Sequence, residues 1–114
     1  MPSIKVPPHN EEAEQSVLGA ILINKDSIGL ISEKIEPKDF YSELNAMVFE
    51  AMASLYEEGK PIDILTLSKR LKKQKAEKVE ASYLTDLLNA VPTAANIEHY
   101  AQIIKDDSTK RSLI

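Results

Sequence analysis

The sequence predicts an all-α fold, a small orthogonal bundle of about six helices. The main observation is the segment Glu43–Gly59, whose apolar residues recur at the spacing of one helix face. These residues are Leu44, Met47, Val48, Ala51, Met52 and Leu55. A second observation is that the internal prolines Pro37, Pro61 and Pro92 fall between apolar stripes, where helices have to end. We therefore predict that Glu43–Gly59 is the central helix, with Gly59 as its C-terminal cap.

The N-terminal part of the chain predicts an extended arm followed by a helix. Residues 1–9 contain three of the six prolines, which favour extended backbone. Asn10 is a good N-cap for a helix that runs to about Ile23. The run VLGAILI within it could be read as a strand, but the acidic, alanine-containing start favours a helix. Carboxylates in that first turn complement the helix dipole.

The rest of the chain predicts four more helices around the central one. A short second helix covers about Asp26–Lys34, and Phe40 and Tyr41 in the following link can plug the end of the bundle. The fourth helix is predicted from the Asp63 cap to about Gln74, and the fifth near 80–90. The last helix begins after Thr93 or Asn96, with a stripe of Ile97, Tyr100, Ala101 and Ile104.

The last helix lacks a predicted stop, since KDDSTKRSLI follows Ile104 with neither glycine nor proline. We expect that residues 10–105 form the bundle and that 106–114 begin a helix that continues in a longer protein. Leu113 and Ile114 are apolar and would be exposed in an isolated monomer, so we assign them to a candidate self-association surface.

Length and composition limit the classes of function. The 114 residues suffice for one domain, and the net charge of −4 argues against a surface-wide attraction to nucleic acid or anionic membrane. Absence of cysteine excludes a disulfide, a thiolate zinc site and a thiol nucleophile, and fits a cytoplasmic protein. The longest apolar run, Val17–Ile23, is too short to cross a bilayer. No membrane partner is predicted.

The sequence gives little support for chemistry of its own. Its three glycines do not form a phosphate-binding loop, and no grouping typical of a nucleophile or metal site includes His9 or His99. The run Glu11, Glu12 and Glu14 could be a metal or acid–base cluster, but we favour a solvated first helical turn that complements the dipole. We predict no catalytic, cofactor or metal site, and a role in recognition.

Two features are candidates for recognition. The basic run of residues 69–78 could bind single-stranded DNA, although no aromatic residue lies within it for base stacking, and a solvated helix face is the favoured interpretation. Tyr83 precedes the stripe residue Leu84, at the border of the buried face. It is either an ordinary core-edge residue or an anchor for a protein partner.

Five blocks of sequence, in order, closely resemble the N-terminal domain of the bacterial replicative DNA helicase of the DnaB type. They are PPHNEEAEQSVLG (Pro7–Gly19), DFY (Asp39–Tyr41), GKPIDILTL (Gly59–Leu67), SYLTDL (Ser82–Leu87) and PTAANIEHYAQII (Pro92–Ile104). The blocks cover nearly the whole chain, and together they are far more specific than any one alone.

The resemblance implies a non-catalytic fragment of an ATP-dependent hexameric helicase that acts in DNA replication. In that family ATP and Mg²⁺ belong to a separate C-terminal motor, which also makes most of the contact with DNA and is missing here. The N-terminal domains associate in pairs, six copies form a collar, and the collar receives the C-terminal domain of primase. The family continues into a helical hairpin, which would explain the missing helix stop.

The resemblance also transfers two candidate site residues. By motif position, Glu12 and Tyr83 resemble positions tied to primase contact. The sequence departs from the family pattern at Val79-Glu80-Ala81, where a glycine pair is common, and at Asn45, where a histidine is common. The alternative function, a single-stranded-DNA-binding module using residues 69–78, stays open at this point.

Overall fold

Helices form the regular structure of the computed structural model, which describes residues 6–76, 78–90 and 96–113. Within these ranges the chain contains five α-helices, two 3₁₀ helices and no strand, so the all-α prediction is confirmed. The elements are α1 (Glu11–Ile23), a 3₁₀ helix (Lys25–Leu30), a second 3₁₀ helix (Pro37–Asp39), α2 (Glu43–Glu57), α3 (Ile64–Lys73), α4 (Ala81–Asn89) and α5 (Ile97–Ser112).

The predicted caps account for several helix ends. The Asn10 side chain accepts a hydrogen bond from the Ala13 amide at the start of α1. At the end of α2, Gly59 has φ +69°. The amides of Gly59 and Lys60 donate back to the carbonyls of Tyr56 and Leu55, the pattern of a Schellman motif.

The later caps agree only in part. Asp63 and Thr66 form a capping box at the start of α3, as the sequence predicted for Asp63. Asn96 precedes α5 but makes no side-chain capping hydrogen bond. The other predicted cap, Thr93, and the helix-breaking Pro92 lie outside the described residues.

The predicted second helix is real but differs in type. Lys25–Leu30 forms a 3₁₀ helix, and residues 31–34 form turns instead of continuing a helix. Gly29 lies inside this segment, and a Cβ there would come within 3.0 Å of the Tyr56 hydroxyl. A short segment with an internal glycine gains little from α-helical propagation, which suits the tighter 3₁₀ form.

The structure places α1, not α2, at the centre of the bundle. α1 packs against α2, α4, α5 and the first 3₁₀ helix. Eight of its 13 residues are buried, against six of 15 in α2. The physical reason is residues 17–21, which are apolar or small on every side of the helix and are all buried, whereas Ile23 at its end is 52% exposed.

Of the two aromatic residues predicted to fill the end of the bundle, only Phe40 does so. Phe40 is buried, and its ring lies 5.0 Å from that of Phe49. Tyr41 instead lies at the surface with 43% exposure, so the prediction for this residue was wrong. Its ring stacks on His9 at 4.1 Å, and the Arg111 guanidinium lies 5.5 Å from the centroid of the tyrosine ring. Adjacent residues of an extended link point in opposite directions, so both cannot enter the core.

Hydrogen bonds connect the C-terminal half of α5 to Pro8 and Asp39, which precede α2 in the chain. Ser108 donates to the buried carboxylate of Asp39 at 2.7 Å. Arg111 donates to the carbonyls of Pro8 at 2.9 Å and Asp39 at 2.6 Å. α5 itself runs without interruption across residues 105 and 106. The domain division proposed there stays a prediction.

Candidate partner-binding surface

A buried glutamate lies beneath the candidate surface. Glu14, on the first turns of α1, is only 2% exposed. Its carboxylate accepts hydrogen bonds from the backbone amides of Tyr41 at 2.7 Å and Ser42 at 3.2 Å, and from Asn45 Nδ2 at 3.0 Å. Ser42 is the N-cap of α2, so the carboxylate meets the positive end of that helix dipole.

The sequence interpretation of the acidic run was therefore wrong for one of its three members. Glu11 and Glu12 are exposed, as predicted, but Glu14 is not solvated. It points inward because a second helix N-terminus lies against α1 and supplies donors for its oxygens. No group of three or more potential metal ligands of the His, Cys, Asp or Glu type occurs in the described part of the chain.

Tyr83 lies at the border of the core, where the spacing predicted it. The side chain is half-buried against the core, and its hydroxyl donates to Asn45 Oδ1. Burial is the main cause that raises the pKa of the Tyr83 hydroxyl above its usual value of 10.0. The polar side chain of Gln15 opposes this, and the charges of Glu11 and Glu14 raise the pKa further. The hydroxyl is thus neutral at neutral pH.

The two predicted contact residues lie on neighbouring helices. α1 packs against α4, and Glu12 is exposed on the first turn of α1. The α1 side chains that act on Tyr83 are those of Glu11, Glu14 and Gln15. We call the exposed parts of Glu11, Glu12, Gln15 and Tyr83 the α1–α4 surface. A partly exposed aromatic ring beside carboxylates suits a protein partner that offers an apolar side chain and a basic one.

The basic run is partly neutralised within the domain. Arg70 donates through both terminal nitrogens to Glu58, at 2.5 and 2.7 Å, and Lys78 pairs with Glu43 at 3.1 Å. The Arg70 guanidinium, with help from Lys60, lowers the pKa of Glu58 from 4.5 to about 2. The other lysines of the run are exposed: Lys69, Lys72, Lys73 and Lys75.

Of the two candidate self-association residues, the structure describes only Leu113. Leu113 is 82% exposed directly after α5, and Ile114 lies outside the described residues. The structure also shows a mainly apolar groove that sequence reasoning missed, lined by Leu22, Asp63, Ile64, Leu65 and Leu88. Leu65 is 66% exposed because it falls outside the inward stripe of α3. In the sequence, the signal for this groove was Leu65, a leucine that does not fall on the buried face of α3 with Leu67 and Leu71.

Each of the two histidines lies against a tyrosine ring. His9 Nδ1 lies 2.8 Å from the Pro7 carbonyl while its ring covers Tyr41. The His99 ring is tilted against Tyr100 at 5.9 Å. Both positions fit the predicted structural or solvent-exposed role.

Among the described helices, none is both long and apolar enough to cross a bilayer.

The fold and this surface define the class of the chain: a small all-α domain whose candidate site is a surface and not a cleft. The sequence matches the family described as DnaB-like helicase N terminal domain over residues 6–106. The chain belongs to that family, so the resemblance seen in the five sequence blocks is confirmed, as is the prediction that this fragment is the N-terminal domain and not the motor.

Curated relatives give the same family. The chain is 45% identical over 112 residues to the replicative DNA helicase DnaC of Bacillus subtilis (strain 168), covering 96% of this chain and 25% of that protein. It is 40% identical over 114 residues to the replicative DNA helicase DnaB of Geobacillus stearothermophilus, covering 98% and 25% respectively. The chain therefore spans about a quarter of the length of these relatives.

Solved structures resemble the whole bundle. The crystal structure of the N-terminal domain of DnaB helicase from Mycobacterium tuberculosis has a TM-score of 0.90 and 38% identity, covering 95% of this chain and 76% of that one. The N-terminal domain of DnaB helicase from Helicobacter pylori, described with its interactions with primase, has a TM-score of 0.80 and 32% identity, covering 90% and 80%.

Proposed function

We propose that this chain is the non-catalytic docking and assembly domain of a replicative DNA helicase, and that its α1–α4 surface receives the C-terminal domain of primase. The observation that carries the proposal is the partly exposed ring of Tyr83 beside the acidic first turn of α1, in a chain of this family. A relative at TM-score 0.80 is described with its interactions with primase, which supports the choice of partner.

Calorimetric titration with the cognate primase C-terminal domain tests the docking proposal. Tyr83→Ala removes the ring, and we expect affinity to fall about tenfold or more, as for an interface anchor. Tyr56→Ala is the matched control, because Tyr56 is a tyrosine with 38% exposure on α2. If the wild-type domain is helical by circular dichroism and still gives no heat on titration, docking on this chain would be ruled out.

Glu12 provides a separate test of the same surface. It is exposed on α1, and a carboxylate at the rim of an interface acts mainly through long-range attraction. We expect Glu12→Lys to slow association with primase and to reduce its dependence on salt, with little effect on dissociation. Surface plasmon resonance at two salt concentrations measures both rates.

We also propose that the domain pairs with a second copy and supports a hexamer in the full protein. Leu113 is almost fully exposed, and an apolar side chain at that position gains from burial against a partner. The proposed division places residues 106–114 at the start of a helical hairpin that helps pairing. Sedimentation over a range of concentrations should show association that Leu113→Asp weakens. A 12.7 kDa species at every concentration would contradict pairing of this chain.

The activity proposed for the whole protein is ATP-dependent DNA unwinding in the cytoplasm. ATP and Mg²⁺ would be held by the motor domain, which would also make the main contact with DNA. A longer chain that includes the motor should hydrolyse ATP in the presence of single-stranded DNA, and this domain alone should not.

A single-stranded-DNA-binding function is the second candidate, and charge segregation favours it. Residues 60–78 hold seven of the 14 Lys and Arg but two of the 18 Asp and Glu. Lys69, Lys72 and Lys73 remain exposed on α3. If they bind a phosphate backbone, fluorescence anisotropy will show affinity that falls steeply with salt and is lost when all three become glutamate. No binding at low salt would remove this candidate.

A further inference from the structure

We propose that Glu14 is a positioning residue for the α1–α4 surface: through Asn45 it fixes the hydroxyl, and with it the ring, of Tyr83 for partner docking. This inference rests on the proposed docking function and extends it to a residue that touches no partner. The observations that carry it are the burial of Glu14 and Asn45 and the chain of hydrogen bonds between α1, α2 and α4.

The first step is that the Glu14 carboxylate is immobile. Oε2 accepts from the Tyr41 amide, and Oε1 accepts from the Ser42 amide and from Asn45 Nδ2. Two of these donors are backbone groups at the start of α2, which cannot rotate away. A buried acceptor with three such donors has one position, because any other leaves buried donors without partners.

The second step is that Glu14 selects the orientation of the Asn45 amide. A carboxylate can only accept hydrogen bonds, so Asn45 must present Nδ2 to it. The carbonyl oxygen Oδ1 of Asn45 then faces the opposite way, toward α4. Asn45 is 0% exposed, so water cannot take over either role. Its backbone amide is held as well, by a hydrogen bond of 3.3 Å to the Ser42 hydroxyl.

The third step is that Asn45 fixes Tyr83. The Tyr83 hydroxyl donates to Asn45 Oδ1, and a reversed amide would place a donor against that donor. The ring is held at both of its sides, by the core and by the network, and a pre-ordered anchor loses less entropy on binding.

Three variants separate positioning from plain structural support. Glu14→Gln introduces a donor among the three donors and should let the Asn45 amide reverse. Asn45→Leu keeps both backbone hydrogen bonds of Glu14 and cuts only the connection to Tyr83. Tyr83→Phe keeps the ring and removes the hydroxyl through which the network acts. Glu50→Gln, at an exposed glutamate on α2, is the matched control.

The first readout needs no partner. In the domain with ¹³C-labelled tyrosine, the Tyr83 Cζ signal reports on hydrogen bonding of the hydroxyl. We expect it to move in Glu14→Gln and Asn45→Leu and to stay in place in Glu50→Gln. A Tyr83 signal that stays in place in both folded network variants would overturn the positioning role, whatever the domain binds.

The second readout is titration with the primase C-terminal domain. We expect Glu14→Gln and Asn45→Leu each to weaken binding about fivefold, and neither to weaken it further when Tyr83→Phe is already present. Full additivity in that background would overturn the route through Tyr83. A wild-type domain that does not bind primase refutes docking and the docking part of this inference, while the Cζ signal still decides whether Glu14 orders Tyr83.

Discussion

The two ends of α2 are each held to a neighbouring helix by a glutamate, but in opposite ways. At the N-terminus Glu14 reaches across from α1, is 2% exposed, and accepts only from neutral donors. At the C-terminus the capping residue Glu58 has a side chain with 41% exposure and pairs with the cations Arg70 and Lys60. The same residue type therefore performs a buried task at one end and a surface task at the other.

The helix dipole explains the difference in partners. A carboxylate is favourable at the positive N-terminal end of α2, so neutral amide donors suffice for Glu14. A carboxylate at the negative C-terminal end is unfavourable, and Arg70 and Lys60 offset this at Glu58. Burial also makes the loss of Glu14 more costly than the loss of Glu58, because unsatisfied donors are costly only where water cannot replace the lost partner.

Removal of Glu14 should have the largest effect on stability. Glu14→Ala leaves three donors without an acceptor at a buried site, and we expect the free energy of unfolding to fall by about 3 kcal/mol. Urea denaturation followed by circular dichroism measures this as a lower midpoint at unchanged slope. Glu50→Ala is the control, because Glu50 is exposed on α2. A midpoint for Glu14→Ala equal to that of the control would contradict the comparison.

The features of the fold that could be predicted are those determined by residues close together in the sequence. Periodic apolar residues, Asn10, Gly59 and Asp63 act within a few residues of their own position, and the helices they delimit appear where expected. The 3₁₀ form of Lys25–Leu30 was missed because hydrophobic spacing distinguishes it poorly from a short α-helix.

The polar network could not be predicted because its causes are distant in sequence. The donors to Glu14 lie 27, 28 and 31 residues further along the chain. Local reasoning sees only an acid in a first helical turn, for which solvation is the usual outcome. For Tyr83 the helix spacing did predict the border position, but its partner Asn45 comes from another helix, 38 residues away.

A change at Gly59 should have an intermediate effect, confined to the C-terminal end of α2. Gly59 has φ +69°, and no atom lies within 4 Å of the point that a Cβ would occupy, so Gly59→Ala adds backbone strain without a clash. We expect a loss of about 1 kcal/mol in the free energy of unfolding. Gly59→Asn should lose less, because asparagine tolerates this conformation. Equal losses for both would point to a cause other than backbone strain.

The smallest effect at neutral pH should come from Glu58→Gln, because solvent screens an exposed ion pair. The pairing shows in the pH profile instead. Arg70 and then Lys60 lower the pKa of Glu58 to about 2, below its usual 4.5, so the stabilisation is present above pH 4.5 and is lost as the pH falls toward 2. Urea midpoints of wild type and Glu58→Gln should converge across this range, whereas Glu57→Gln, at an exposed neighbour, should show no such convergence. A constant gap down to pH 2 would mean that the Arg70 pair does not hold this end of α2, and the contrast with Glu14 would then rest on burial alone.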